Sequence, residues 1–254
     1  MARGYVYDQG FAQERERLRG IESLWDPGSQ ALIDELGIAP GWTCLEVGAG
    51  GGSLVEWMSQ RGATVMAVDI DTRFIEPLAS EAVQVRRLDL RTDELPACRF
   101  DMVHARLVLE HLTERKQIVD RLATTLRPGG WLVIEDYDWI GFGFQGNDLQ
   151  LERVAEAVMT FMQRAGFEPH YGRQVVDDIA SAGLVDVRGE GRIRVIDSSA
   201  PGFDFFRLSF ESLRGAIVDA GLIAAEEADA AAARFGEQMR LFTPLMMAGI
   251  GRRA

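Results

Sequence analysis

Lysine is almost absent from this chain: Lys116 is the only one in 254 residues, and arginine carries nearly all of the positive charge. Acidic residues outnumber basic ones 39 to 27, for a formal net charge of -12. Such a surface repels phosphate backbones and anionic lipid, so neither nucleic acid nor a membrane is an expected partner. Cysteine is scarce as well. Cys44 and Cys98 stand 54 positions apart among apolar neighbours, which fits reduced core thiols better than a disulfide framework. The three histidines lack zinc-like spacing, so no metal site is expected. No apolar run approaches the ~20 residues of a membrane helix. Residues 1–10 lack a basic stretch followed by an apolar core, which argues against a secretory signal. A cytoplasmic protein is expected.

What is present is ordinary globular composition, with 47% hydrophobic and 26% charged residues, and this excludes disordered, collagen-like and coiled-coil chains. From Gly41 to Ile134 short apolar runs alternate with amphipathic stretches, the pattern of an α/β parallel sheet covered by helices. Strands are expected at Thr43 to Val47, Thr64 to Asp69, Val83 to Asp89, Asp101 to Ala105 and Trp131 to Glu135. Helices are expected between them at Ser53 to Arg61, Thr72 to Glu81 and Thr113 to Leu126, the last stopped by Arg127-Pro128-Gly129-Gly130. Five consecutive βα units result.

Ahead of this core, Gln13 to Leu18 and Ser29 to Leu36 form two expected helices split by Asp26-Pro27-Gly28. Behind it, Leu149 to Ala165 has a helical period and looks inserted. A helix at Arg173 to Ala182, a strand at Val185 to Ile196, helices at Phe203 to Ala220 and Ala224 to Gln238, and a last strand at Leu241 to Gly251 complete the expected order. The whole is one domain: a helical flap over 1–40, a core over 41–137, and helical insertions over 138–170 and 200–240 that form a lid.

The strongest signal is Leu45-Glu46-Val47-Gly48-Ala49-Gly50-Gly51-Gly52-Ser53, between an apolar strand and a helix. Glycines there let the backbone turn sharply and approach a ligand. Dinucleotide enzymes use a similar loop to seat pyrophosphate, but Glu46 at the strand end would repel that group and suits an ammonium or sulfonium. Asp69 closes the next strand, 21 residues after Gly48, where a carboxylate can accept both hydroxyls of a ribose. Asp89 closes the third strand, where it can accept an adenine amine. Three acids at three successive strand ends beside a glycine loop mark the edge at which open α/β sheets bind ligands.

On these residues the chain resembles the class I S-adenosylmethionine-dependent methyltransferases of the small-molecule type. Glu46 to Gly52 matches the family's acid-x-Gly-x-Gly-x-Gly motif, Phe100 to Leu112 is similar to its fourth-strand segment, and Leu126 to Leu132 to its turn into the fifth strand. The resemblance spans Trp42 to Tyr137. It implies a Rossmann-like seven-stranded, mostly parallel sheet with helices on both faces, whose last strand runs antiparallel between the fifth and sixth. It also implies S-adenosylmethionine as cofactor. Gly48, Gly50 and Gly52 would pass beneath its methionine and ribose, with Glu46 near the ammonium. Asp69 would take the ribose hydroxyls with Ile70 against the adenine, Asp89 and Leu90 would hold the adenine amine, and Ala105 and Arg106 would present backbone to the methionine part.

The acceptor is expected to be a small, hydrophobic or aromatic metabolite methylated at oxygen, nitrogen or carbon, without a metal. His111, six residues past Ala105, is the first candidate for a general base; packing against the following helix is its other role. Tyr137 is the second candidate, as base or pocket wall. His170 and Tyr171 follow the inserted helix and read as a surface loop or a reach into the cleft, His104 reads as a core histidine, and Tyr5, Tyr7 and Phe11 as a flap over the cofactor. The apolar set Phe161, Met159, Met162, Phe203, Phe205, Phe206, Phe210 and Leu213 either lines the cleft or packs against a second subunit to give a homodimer. Two alternatives stay open: an NAD(P)-dependent oxidoreductase, and a non-methylating S-adenosylmethionine-binding protein of the same fold.

Overall fold

In the computed structural model, which describes residues 11–95, 99–146 and 148–254, the strands β1 (Thr43–Val47), β2 (Thr64–Asp69), β3 (Val83–Arg87), β4 (Phe100–Arg106) and β5 (Leu126–Asp138) lie in one sheet with β7 (Val185–Arg192) and β10 (Leu245–Arg252). The order is β3-β2-β1-β4-β5-β10-β7, with β1 to β5 parallel and β10 antiparallel to both neighbours. The last strand therefore enters between the fifth strand and β7, as the resemblance implies. Strand β1 is buried on both faces, with Leu45 and Val47 in the core layer on one side and Cys44 in the layer on the other.

Helices α1 (Glu14–Glu35) and α2 (Ser53–Gln60) cover one face; α3 (Arg115–Thr125) and α5 (Val175–Ser181) cover the other. A third layer stands beyond the strand ends, built from α4 (Leu149–Arg164), α6 (Phe203–Asp219) and α7 (Ala225–Phe235). It packs on a small antiparallel sheet of β6 (Gly143–Phe144), β9 (Arg240–Phe242) and β8 (Val195–Asp197). Among the described residues no helix is long and apolar enough to cross a membrane.

Four expectations need correction. The two N-terminal helices are a single helix, α1, with Pro27 inside it. Contacts on both sides of the proline hold it together: Trp25 and Ile33 are fully buried, and Arg106 binds Asp26 at 2.7 Å and Ser29 at 2.9 Å. Such packing outweighs the local cost of a missing donor. The helix expected at Thr72 to Glu81 is only a 3-10 turn at Glu76–Leu78, because Pro77 sits in it and Ala79 is already extended. With no helix among the described residues between β3 and β4 either, five βα units are too many.

The strands expected at Val185 to Ile196 and Leu241 to Gly251 each divide between the two sheets. Pro244 cannot donate to a ladder. Opposite it the chain breaks at Arg194, whose N–H donates to Thr243 Oγ1 at 3.0 Å while the Thr243 N–H donates back to its carbonyl at 2.9 Å.

Candidate functional site

The C-terminal ends of β1 to β4 open into a cleft covered by the first half of α1. Of the residues singled out in the sequence, Glu46, Gly48, Gly50, Asp69, Ile70, Asp89, Leu90, Arg106 and His111 line it. Three others do not. Gly52 begins α2 behind the loop, Ala105 is fully buried in the sheet core, and Tyr137 is buried beneath α1. The Tyr137 hydroxyl accepts the Trp25 indole N–H at 2.6 Å, and its ring contacts Trp139 and Phe205. This placement in the aromatic core removes it as a base. Neither His170 nor Tyr171 reaches the cleft: His170 sits 2.7 Å from Asp138, and Tyr171 is fully buried. Tyr5, Tyr7 and Cys98 lie outside the described residues, and Phe11 is not on the cleft wall.

The glycine loop is shaped by its neighbours. Gly48 has φ +65°, and a Cβ there would stand 2.3 Å from Val108 Cγ2. Only glycine satisfies both constraints. Asp69 then pins the loop to the second strand, accepting the Gly50 N–H at 2.8 Å and the Asp71 N–H at 3.0 Å. Burial pushes the Asp69 carboxyl above its ordinary pKa, although these backbone donors oppose the shift. Asp89 differs. Arg91 holds it at 2.7 and 3.0 Å and draws its pKa below the usual carboxylate range. Helix α1 closes the cleft from above: a Cβ on Gly51 would collide with Arg15 and Glu22.

Below the cleft a row of charges crosses the sheet. Glu46 and His104 are Cα partners in the β1–β4 register, and Arg106 and Glu135 in the β4–β5 register. The side-chain period of two puts Glu46, His104 and Glu135 on the face under α1. His104 is fully buried between two carboxylates, with Nδ1 2.8 Å from Glu46 Oε2 and Nε2 2.9 Å from Glu135 Oε2. The Ser29 hydroxyl donates to Glu135 Oε2 at 2.5 Å, and Arg192 from β7 forms an ion pair with the same carboxylate. His104 is thus a core histidine that also orients an acid of the cleft wall. Asp26, Ser29 and Arg192 carry no local signal for this role, since only strand register and the course of α1 bring them here.

His111 stands at the other end of the cleft, with its ring 5.1 Å from Phe167. Burial, reinforced by the nearby charges of Arg17 and Arg115, lowers its pKa to about 3, so the imidazole is neutral at physiological pH. Beneath it lie two buried acids, Glu110 and Asp136. Desolvation holds both above the carboxylate range, and for Glu110 the charge of Asp136 adds to the effect. A native proton that the unfolded chain has already released makes stability fall with pH. Stability from this pair is therefore full below pH ~4 and is lost as pH rises through the raised folded values. Urea midpoints should decline from pH 5 to pH 8, and Asp136→Asn should flatten that slope; an equal slope in the variant contradicts this account.

Residues 45–134 match the methyltransferase domain family. This segment is a class I S-adenosylmethionine-dependent methyltransferase domain. A relative is the methyltransferase str2 of Strobilurus tenacellus, 33% identical over 136 residues, which cover 51% of this chain and 48% of the relative. Another is the ubiquinone biosynthesis O-methyltransferase of Paracidovorax citrulli, 32% identical over 109 residues, covering 39% of this chain and 45% of that one. The chain thus spans about half the length of the curated relatives it matches. Solved structures share the methyltransferase fold over nearly the whole chain. The YcgJ protein of Bacillus subtilis gives a TM-score of 0.60 at 14% identity, with 90% of this chain and 99% of that one covered. A geranyl diphosphate methyltransferase in complex with S-adenosylmethionine gives 0.57 at 15% identity, with 97% and 93% covered.

The residues of the methyltransferase domain suit that cofactor. Acids outnumber arginines along the cleft, as a cationic ligand requires, and the backbone at Gly48 turns where a side chain would collide. Among the described residues no group of three or more His, Cys, Asp or Glu is placed to hold a metal ion.

Proposed function

We propose that this protein transfers a methyl group from S-adenosylmethionine to an oxygen, nitrogen or carbon of a small, hydrophobic or aromatic metabolite. The observation that carries the proposal is that Glu46, Asp69, Asp89 and the loop glycines Gly48 and Gly50 line one cleft at the ends of three successive strands. In this assignment Glu46 takes the cofactor's ammonium and Asp69 its ribose hydroxyls. Ile70 and Leu90 cover the adenine, Asp89 accepts the adenine amine, and Arg106 presents its backbone to the methionine part.

When bound, the cofactor supplies a methyl group already activated on a sulfonium. The work left to the protein is to align the acceptor with that methyl, which removes ~7–11 kcal/mol of barrier, and to exclude water. Helix α1 does the second by covering the cleft. His111 is on the cleft wall and neutral, and the burial that keeps it neutral also weakens it as a proton acceptor, which puts it at the low end of general-base catalysis. His111→Ala should leave cofactor affinity intact and lower kcat on the order of 100-fold, the low end for a general base. Because its pKa is about 3, the wild-type rate should show no inflection near pH 6.5 from this group. Equal turnover in the variant would assign catalysis to alignment alone.

Glu46 argues against the NAD(P)-dependent oxidoreductase, because a carboxylate at that strand end repels pyrophosphate. The test is calorimetric titration with S-adenosylmethionine, S-adenosylhomocysteine and NADH after stripping any ligand that co-purifies. Micromolar binding of the first two without heat from NADH supports the proposal, and binding of NADH alone overturns it. Transfer is then sought against a panel of acceptors, where persistent inactivity despite tight cofactor binding favours the non-methylating alternative. The acidic net charge supports an enzyme that engages neither nucleic acid nor membranes, a cytoplasmic location is part of the same proposal, and a homodimer is the assembly to test by light scattering.

A further inference from the structure

Residues 185–197 form an outer edge of both sheets. Among the described residues β7 is the last strand of the larger sheet and pairs with β10 alone, while β8 pairs with β9 alone in the smaller one. An outermost strand presents a row of backbone N–H and C=O groups without a ladder partner, a template for a further strand. Proteins blunt such edges with lysine, proline or a bulge. Residues 185–197 contain neither lysine nor proline. The one bulge, at Asp186 with φ +53° and a slip in the register with β10, lies at the start of β7 and leaves Val187 to Arg192 regular. Exposed apolar side chains follow the same edge: Val185, Ile193, Val195 and its cross-strand partner Phe242. By contrast the α6 phenylalanines Phe203, Phe205, Phe206 and Phe210 are buried in the third layer, so they are not what holds a second copy.

Arg188 and Glu190 decide which strand fits this edge. The period of two puts both on the side of α1, where Arg188 pairs with Glu35 at 2.7 Å. Their side chains remain 38% and 37% accessible, free to meet a partner. In a closed pair of identical chains, each contact occurs twice about a two-fold axis. With that axis at Gly189, two antiparallel copies of β7 set Arg188 of each opposite Glu190 of the other. Moving the axis one residue along the strand sets either Arg188 or Glu190 against its own copy, and like charges directly opposite are destabilising. Gly189, on the axis, meets itself without a side chain. The antiparallel order also brings the exposed Val185 of one copy to the end where the exposed Ile193 of the other leaves the sheet.

We propose that β7 pairs with β7 of a second copy of this chain, antiparallel about a two-fold axis at Gly189, joining the two seven-stranded sheets into one. The proposal supplies the contact for the homodimer raised above and does not depend on the methyltransferase reading of the cleft.

Light scattering at about 100 µM protein and about 0.15 M salt, which screens the repulsion between two acidic chains, should give twice the mass of one chain. Arg188→Glu and Glu190→Arg each place like charges opposite one another at two symmetric points. Either variant alone should raise the dimer dissociation constant by about tenfold or more. An equimolar mixture of the two restores opposite charges at both points and should associate within about threefold of wild type. A variant that has merely failed to fold gives no such rescue. S-adenosylhomocysteine affinity should stay at the wild-type value in both, because neither residue lines the cleft.

A wild-type chain that is monomeric at this concentration would overturn the proposal and leave the edge to a strand of a different protein. A dimer indifferent to both reversals, or a mixture no stronger than the separate variants, would overturn this interface. A wild-type dimer that does not bind S-adenosylhomocysteine would instead overturn the methyltransferase reading and leave the interface standing.

Discussion

Replacing His104 with leucine is expected to destabilise the protein by about 3 kcal/mol, because it strips a partner from two buried carboxylates. Glu135 keeps Ser29 and Arg192, so the cost falls at the lower end of the range for a broken buried ion pair. Glu46 keeps nothing on that side. At roughly 2–4 °C per kcal/mol for a domain of this size, the midpoint of thermal unfolding should drop by about 6–12 °C. His104→Gln retains one polar contact and should lose about half as much. The carboxylate of Glu46 is also released from its orientation toward β4, so cofactor affinity should weaken in the leucine variant under conditions where it is still folded. A midpoint within 1 °C or so of wild type would show that the charged row contributes little to stability.

Asp69→Ala should raise the Kd for S-adenosylmethionine by about 10-fold to 150-fold, equivalent to ~1.5–3 kcal/mol for hydrogen bonds to a charged group. The effect has two sources. The ribose hydroxyls lose their acceptor, and Gly50 loses the carboxylate that holds the loop against β2 at 2.8 Å. Asp69→Asn separates them, since the amide oxygen can still accept the Gly50 N–H while the charge is gone; its Kd should fall between those of wild type and Asp69→Ala. Calorimetry reads all three. Unchanged affinity in the alanine variant would remove the ribose assignment, and with it the order proposed for the cofactor along the cleft.

Several elements of the fold are legible from sequence because their signals are local. Strands β1 and β2 have the expected bounds, and α2, α3, α4 and α6 lie within a residue or two of theirs. Each has either a run of apolar residues long enough for one buried strand or an amphipathic period. The stretch after Asp69 reads as a helix by composition, yet Pro77 and the short span to β3 leave room only for a turn. Residues 185–196 illustrate the converse case. Their alternation is that of one strand, but the chain changes sheets at Arg194 because Thr243 and Pro244 break the partner strand at the same level.

The candidate site divides in the same way. Chain order alone determined the glycine loop and the acids Glu46, Asp69 and Asp89, because a parallel sheet places each strand's C-terminal end at one edge and a βα turn there needs glycine. Only tertiary structure decided that His104 bridges acids 58 and 31 positions away, that Ser29 of α1 bonds an acid 106 positions on, and that α1 runs straight through a proline. The same holds for Tyr137, which belongs to the aromatic core, and for the sheet edge left open at β7. The physical reason is that burial and pairing between residues distant in the chain outweigh the local preferences a sequence displays, and register, not spacing, determines which of them meet.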